Sequence, residues 1–154
     1  MGHSPSESRV VLEAIEIFDE MPGKSGCSAD VLVDVETHFG CSLPPLYRRL
    51  MEADADRMSN GLLLTHPSNL IKQRETTDNL LSDEQKCYLF RLQQSHVVIA
   101  KDELGFYFFN GDDAVLAPVY YFDTEDCSEN VQPTLFTPSF AEFVARRIRE
   151  TYNV

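Results

Sequence analysis

The sequence has 154 residues, a net charge of −12 and an apolar fraction of 43%, so it is one ordinary domain that can bury about 70% of its unfolded surface without disulfides or metals. Its negative charge disfavours binding to nucleic acid and to anionic lipid, which carry the same sign of charge, and favours a basic protein partner. The acidity is equally well explained if it only keeps the chain in solution.

Three helices are predicted in the first third of the chain. The first covers residues 4–20, with a proline at its start and an apolar stripe along one face. The second runs from Ser28, a preferred N-cap residue, to Phe39, and Gly40 is placed to close it in the left-handed conformation. Pro45 begins a third, short helix, because proline is favoured at the first helical position.

The middle of the chain gives weaker patterns. Residues 62–65 follow an Asn-Gly turn signal and are typical of an edge strand, and residues 67–75 are typical of a short helix. Ser82 followed by Gln85 resembles a capping box, which favours a helix over residues 82–94. The apolar residues of that stretch are also typical of a strand, so the strand stays an open alternative there.

Strand patterns follow, separated by polar turns that contain glycine. Three apolar or aromatic runs predict an antiparallel meander over residues 97–100, 106–109 and 114–122. Leu135-Phe136 is a last short extended piece, and a final helix opens at residues 137–139. The predicted fold class is α+β: a single domain with a mostly antiparallel sheet, and with N-terminal helices and a C-terminal helix packed around it.

The aromatic run at residues 106–109 predicts how the sheet is covered. Neighbouring residues of a strand point to opposite faces, so these rings face both ways. We expect one set to pack in the core and the other to be covered by helices, with a partner protein as the alternative cover. The side chains that we expect to be largely buried are Leu43, Tyr47, Phe106 or Phe108, Phe140 and Phe143.

An acidic loop with a neighbouring turn is the candidate partner-binding surface. Its six carboxylates belong to Asp123, Glu125, Asp126, Glu129, Asp112 and Asp113. Together they predict an anionic patch that docks on a basic protein surface and speeds association. A solvated loop without specific function explains the same residues.

The sequence predicts no catalytic residues, no metal site and no cofactor, so the chain is not expected to be an enzyme. The four cysteines form no C-x-x-C pair and have no histidine at metal-ligand spacing. Cys41 lies close to His38 in sequence, but no orienting carboxylate accompanies them, so buried and unreactive thiols are expected. The polar amino end and the lack of an apolar run of about 20 residues predict a cytoplasmic chain that binds no membrane.

Three blocks of the sequence resemble one known family. Residues 35–50, VETHFGCSLPPLYRRL, look like its helix–glycine signature, residues 97–108, VVIAKDELGFYF, like its central hairpin, and residues 137–144, TPSFAEFV, like its closing helix. On these blocks the chain resembles the SUKH superfamily, which includes fungal cell-wall assembly regulators of the Smi/Knr type. We expect one domain over residues 1–154, with the motifs in about 28–150.

The resemblance implies a protein-binding role. Many bacterial members of the superfamily resemble immunity proteins that bind and neutralise a cognate toxin, often a nuclease, and fungal members resemble regulatory scaffolds. A protein partner is therefore expected, with a basic toxin domain as one candidate and other cellular proteins as the alternative, and neither nucleic acid nor membrane. The sequence leaves open the identity of the partner, the face that binds and the oligomeric state.

Overall fold

The structure is a computed structural model that describes Arg9, Leu12, Glu16 and residues 26–86, 88–113, 116–126 and 130–152. The helix predicted over residues 4–20 lies mostly outside this part, although Arg9, Leu12 and Glu16 are helical. A 3-10 turn at Pro67–Asn69 accompanies the α-helices and strands of the described part, which are α1 (Ala29–Phe39), α2 (Pro45–Asn60), α3 (Leu70–Leu81), β1 (His96–Lys101), β2 (Gly105–Asn110), β3 (Val119–Asp123), β4 (Thr134–Thr137) and α4 (Phe140–Tyr152).

Helix α1 begins and ends where the sequence predicts. The Ser28 hydroxyl accepts a hydrogen bond at 3.4 Å from an amide of the first turn. Gly40 closes the helix with φ of 63°, a conformation that glycine adopts without a steric penalty. The buried face of α1 consists of Leu32, Val35 and Phe39.

Helix α2 begins at Pro45 as predicted, but it is longer than the predicted short helix because it continues through a kink at Asp54. The backbone of Asp54 is extended, with φ of −163°, and its buried carboxylate accepts a hydrogen bond at 3.0 Å from the Arg57 amide. An N-cap residue makes the same kind of bond at the start of a helix. Asp54 therefore starts a second helical segment directly after the first.

The predicted edge strand at residues 62–65 is wrong. Leu63 has φ of 61°, in the left-handed region, and this conformation interrupts the extended run. The Thr65 amide still donates a hydrogen bond at 2.7 Å to the Ile99 carbonyl of β1. The segment therefore touches the sheet at one residue without pairing along it.

The described residues among 82–94 adopt neither the predicted helix nor the alternative strand. The short helix predicted at residues 67–75 is confirmed, but α3 extends it to Leu81. Ser82 closes α3, since its amide donates a hydrogen bond at 3.0 Å to the Asp78 carbonyl. Beyond Ser82 the described residues up to β1 form turns and irregular backbone.

The predicted antiparallel meander is confirmed, and β4 extends it to four strands in the order β1-β2-β3-β4. The third strand is shorter than the predicted run over residues 114–122: β3 begins at Val119, and Ala117 before it has a φ of 47°, in the left-handed region that extended backbone does not adopt. Residues 114 and 115 lie outside the described part. In the register, Phe108 lies opposite Val98 of β1 and Tyr120 of β3. One face of the sheet packs against the helices, with Phe109 of β2 next to Tyr47 of α2. The side chains predicted to be buried are each at most 3% exposed: Leu43, Tyr47, Phe106, Phe108, Phe140 and Phe143.

The second face of the sheet corrects a further prediction, because an irregular segment supplies most of its cover instead of helices. Phe106 and Phe108 pack there with Phe122, against Tyr88, Phe90 and Leu92 of this segment and Leu81 at the end of α3. Arg74 of α3 holds the segment in place. Its guanidinium donates hydrogen bonds to the carbonyls of Leu92 at 3.2 Å and His96 at 2.8 Å.

Candidate protein-binding surface

The β2–β3 turn carries the first two predicted carboxylates, Asp112 and Asp113, here called the turn pair. Asn110 organises this turn, because its side-chain oxygen accepts hydrogen bonds from the Ser95 hydroxyl at 2.8 Å and the Asp112 amide at 3.0 Å. Gly111 packs so closely against Cys41 that a Cβ would collide with the thiol. Both carboxylates of the turn pair are exposed, and neither makes an ion pair within the described part of the chain.

Three further predicted carboxylates, those of Asp123, Glu125 and Asp126, lie at the opposite end of the sheet. Asp123 lies opposite Gly105 in the β2–β3 register, and its carboxylate accepts a hydrogen bond at 2.9 Å from the Glu125 amide. Asp123, Glu125 and Asp126 form the loop group, while Glu129 lies outside the described residues. The length of β2 separates the loop group from the turn pair by roughly 17 Å, so the structure does not bring the two groups into one patch.

Two carboxylates that were not predicted from the sequence lie beside the loop group. Asp102 and Glu103 occupy the β1–β2 turn, and Asp102 accepts hydrogen bonds from the Gly105 amide at 2.9 Å and from the hydroxyls of Tyr107 and Tyr121 at 3.2 Å each. Burial and then the Asp102 charge raise the pKa of Tyr121, because both disfavour the phenolate. Their position in a predicted hairpin turn was the sequence feature that could have placed these two carboxylates on the surface.

An open groove lies on the second face of the sheet, next to the turn pair. Phe108 is buried and belongs to its lining. The rings of Phe90, His96 and Tyr120 pack against Phe108, with centroids 5.9, 5.0 and 5.7 Å from the Phe108 centroid. The groove has a volume of about 340 Å³, and Asp113 belongs to its lining. This groove could not be predicted from the sequence, since its lining residues come from separate segments.

The histidines and cysteines of the described part form no catalytic or metal arrangement. The described histidines lie apart, at the end of α1, before α3 and in the groove: His38, His66 and His96. Burial raises the pKa of the Cys41 thiol, and the charges of Asp112 and Glu36 raise it further, so this thiol stays protonated and weakly nucleophilic. Among the described residues no three possible ligands gather around one point, and no described helix has the length and apolar character to cross a membrane.

Comparison with known proteins identifies the family. A sequence model of one protein family, described as the SMI1/KNR4 family (SUKH-1), matches residues 26–146. This range includes the strands β1 to β4, the turn pair, the loop group and the groove lining. A search of curated proteins finds no match. The family match is consistent with a protein-binding role. Because the match covers well over half of the sequence, the chain belongs to the SMI1/KNR4 family (SUKH-1).

Proposed function

We propose that this chain is an immunity protein that binds a cognate toxin and blocks its active site or substrate groove by stoichiometric occlusion. The family match over residues 26–146 carries the proposal, because bacterial members of the superfamily resemble immunity proteins. The chain acts in this proposal as a single cytoplasmic domain, without catalysis, metal or cofactor.

The charge of the chain supports a basic partner such as a nuclease domain. A nuclease presents positive charge to its substrate, and a net charge of −12 attracts such a surface over a long range. The turn pair and the loop group are exposed or half-buried at opposite ends of β2. Either group is therefore available to a positively charged partner.

The properties of the cysteine thiols in the described part of the chain support binding rather than catalysis. A nucleophilic cysteine needs a lowered pKa and a nearby base. The pKa values of Cys27 and Cys41 are instead raised, first by burial. Inhibition by occlusion needs only a complementary surface, which the exposed carboxylates offer.

Co-expression tests the proposal directly. The toxin to test is any secreted protein with a basic C-terminal domain that a neighbouring gene encodes; with such a toxin we expect co-expression to restore growth and the two proteins to copurify at equal stoichiometry. Asp112→Asn with Asp113→Asn should weaken the rescue. The matched control is Asp34→Asn with Glu75→Gln, which removes two exposed carboxylates from helices α1 and α3.

Lack of rescue and of any complex would contradict the immunity role. A pull-down that then recovers other cellular proteins, and that is insensitive to neutralising the turn pair, would favour the regulatory scaffold instead.

A further inference from the structure

We infer that the groove beside the turn pair is the anchor site for an arginine side chain of the protein partner, stacked on the aromatic rings and paired with Asp113. The inference rests on the proposed protein-binding function and deepens it, because it names the surface that binds and the side chain that it receives. Arginine is also among the residues that most often dominate the energy of protein interfaces.

The groove presents partly exposed aromatic rings to a guanidinium. Phe90 and Tyr120 are half-buried members of its lining, and both rings pack against the buried Phe108 ring. A guanidinium is planar and weakly hydrated, so it stacks on such ring faces more favourably than an ammonium group does. This geometry favours arginine over lysine.

The electrostatics of the groove call for a cation. Asp113 brings a carboxylate that has no ion-pair partner in the described part of the chain. Burial and the nearby Arg74 charge lower the pKa of His96, although Asp112 opposes this shift, so His96 stays neutral and does not repel a cation at neutral pH. An anionic ligand would be repelled, and a purely apolar one would leave Asp113 partly desolvated and unpaired.

The size of the groove also fits. Its volume of about 340 Å³ accommodates a guanidinium together with the methylene stem of the side chain. Pro118 and Pro133 add apolar surface to the lining for that stem, and Asn110 is its remaining polar member.

Titration of the full chain with N-acetyl-arginine methylamide, followed by ¹H–¹⁵N NMR spectra, tests this inference without a toxin. The neutral isostere N-acetyl-citrulline methylamide is the matched probe. We expect the arginine probe to shift the amides of His96, Phe108, Asp113 and Tyr120, with a millimolar Kd because one side chain supplies few contacts. The citrulline probe should bind at least about fivefold more weakly, since it lacks the charge.

Three variants complete the test. Asp113→Asn should weaken binding of the arginine probe about three- to fivefold, as expected for an exposed ion pair, and Tyr120→Leu should weaken it by removing a ring face while keeping apolar volume. Asp34→Asn removes an equal charge from α1, outside the groove, and should leave the Kd unchanged. Spectra of each variant alone verify that it is folded.

Three results would overturn the inference: no shift in the groove with arginine probe up to about 50 mM, equal binding of the citrulline probe, or a Kd that Asp113→Asn does not change. Rescue from the toxin that persists alongside any of these would show that the groove assignment fails while the immunity role stands. Arginine binding as described, without rescue or complex, would show that the immunity role fails and the groove assignment stands.

Discussion

Tyr47 combines a stabilising ring with a costly hydroxyl. Its side chain is fully buried, and its ring packs against Phe109 at 5.9 Å and Phe140 at 5.5 Å between centroids. Its hydroxyl has no hydrogen-bond partner in the described part of the chain. Burying an unpaired hydroxyl costs free energy, whereas the ring contributes apolar burial and edge-on aromatic contacts.

Two substitutions at Tyr47 separate these contributions. We expect Tyr47→Phe to leave the free energy of unfolding unchanged or to raise it by about 1 kcal/mol, and Tyr47→Ala to lower it by about 3–5 kcal/mol. Urea unfolding followed by circular dichroism measures both. A loss above about 1 kcal/mol in Tyr47→Phe would contradict the assignment, since it would mean that the hydroxyl has a stabilising partner.

The candidate site could be predicted from the sequence only in part, because its residues carry different kinds of signal. Asp112 and Asp113 follow a recognisable turn, so their exposure could be predicted from local chemistry. Phe90 and Tyr120 read only as apolar positions, and nothing in their sequence spacing brings them to Phe108. They come together only because of the path of an irregular segment. That path is determined by contacts between side chains that are far apart in the sequence.

At the scale of elements, Arg74 joins α3 to the segment that covers the second face of the sheet. Its guanidinium is largely buried and donates hydrogen bonds to the carbonyls of Leu92 and His96 and to the Asp78 carboxylate. We expect Arg74→Met to lower the free energy of unfolding by about 2–4 kcal/mol, because it keeps the apolar stem but leaves buried carbonyls unpaired.

Amide hydrogen exchange tests whether the loss of stability in Arg74→Met is localised to the segment that Arg74 anchors. Amides of the covering segment, residues 88–95, should exchange faster in Arg74→Met, while those of α1 keep their protection. Asp78→Asn is the control, since this carboxylate is half exposed and its ion pair contributes at most about 1 kcal/mol. Equal loss of protection across α1 and the segment would argue against a local anchoring role.

Helix α4 closes the sheet, and one buried ring reports on its docking. Phe143 is fully buried and contacts Phe136 of β4 at 5.9 Å between centroids, whereas Phe136 is 37% exposed. We expect Phe143→Ala to lower the free energy of unfolding by about 3–5 kcal/mol and Phe136→Ala by much less, because a cavity forms only at the buried position. Chemical denaturation compares them, and a loss under about 1 kcal/mol at Phe143 would contradict the docking of α4.

The elements that were predicted correctly are those with strong local punctuation. Ser28 and Gly40 bound α1, Pro45 begins α2, and glycine-containing turns separate the strands of the meander. Residues 82–94 have no such local boundary signal, because Ser82 is compatible with both the start and the end of a helix. Their backbone is also held by Arg74, which is distant in the sequence. Leu63 gave no warning either, since a left-handed leucine is a rare conformation imposed by tertiary context.

At the scale of the whole molecule, two groups of carboxylates lie at opposite ends of the central strands. The loop group lies with Asp102 and Glu103 at one end of β2, and the turn pair with the groove lies at the other. Both ends therefore attract a basic partner during approach, and at the second end the charge of Asp113 lies in the lining of an aromatic groove. In our proposal, the carboxylates at both ends increase the rate of association, and the contacts at the groove end slow dissociation of the complex.

This division of roles predicts a specific dependence on salt. Because screening weakens long-range attraction between exposed charges, the association rate constant with the basic toxin should fall about tenfold or more between about 50 and 500 mM salt, while the dissociation rate constant changes less than about threefold. Stopped-flow fluorescence and surface plasmon resonance measure the two rate constants.

Asp112→Asn with Asp113→Asn should reduce the salt dependence of the association rate constant and also raise the dissociation rate constant, because Asp113 pairs with the anchored arginine. Asp34→Asn with Glu75→Gln changes the net charge by the same amount, so equal effects of the two variants would mean that net charge alone, and not the turn pair, governs binding.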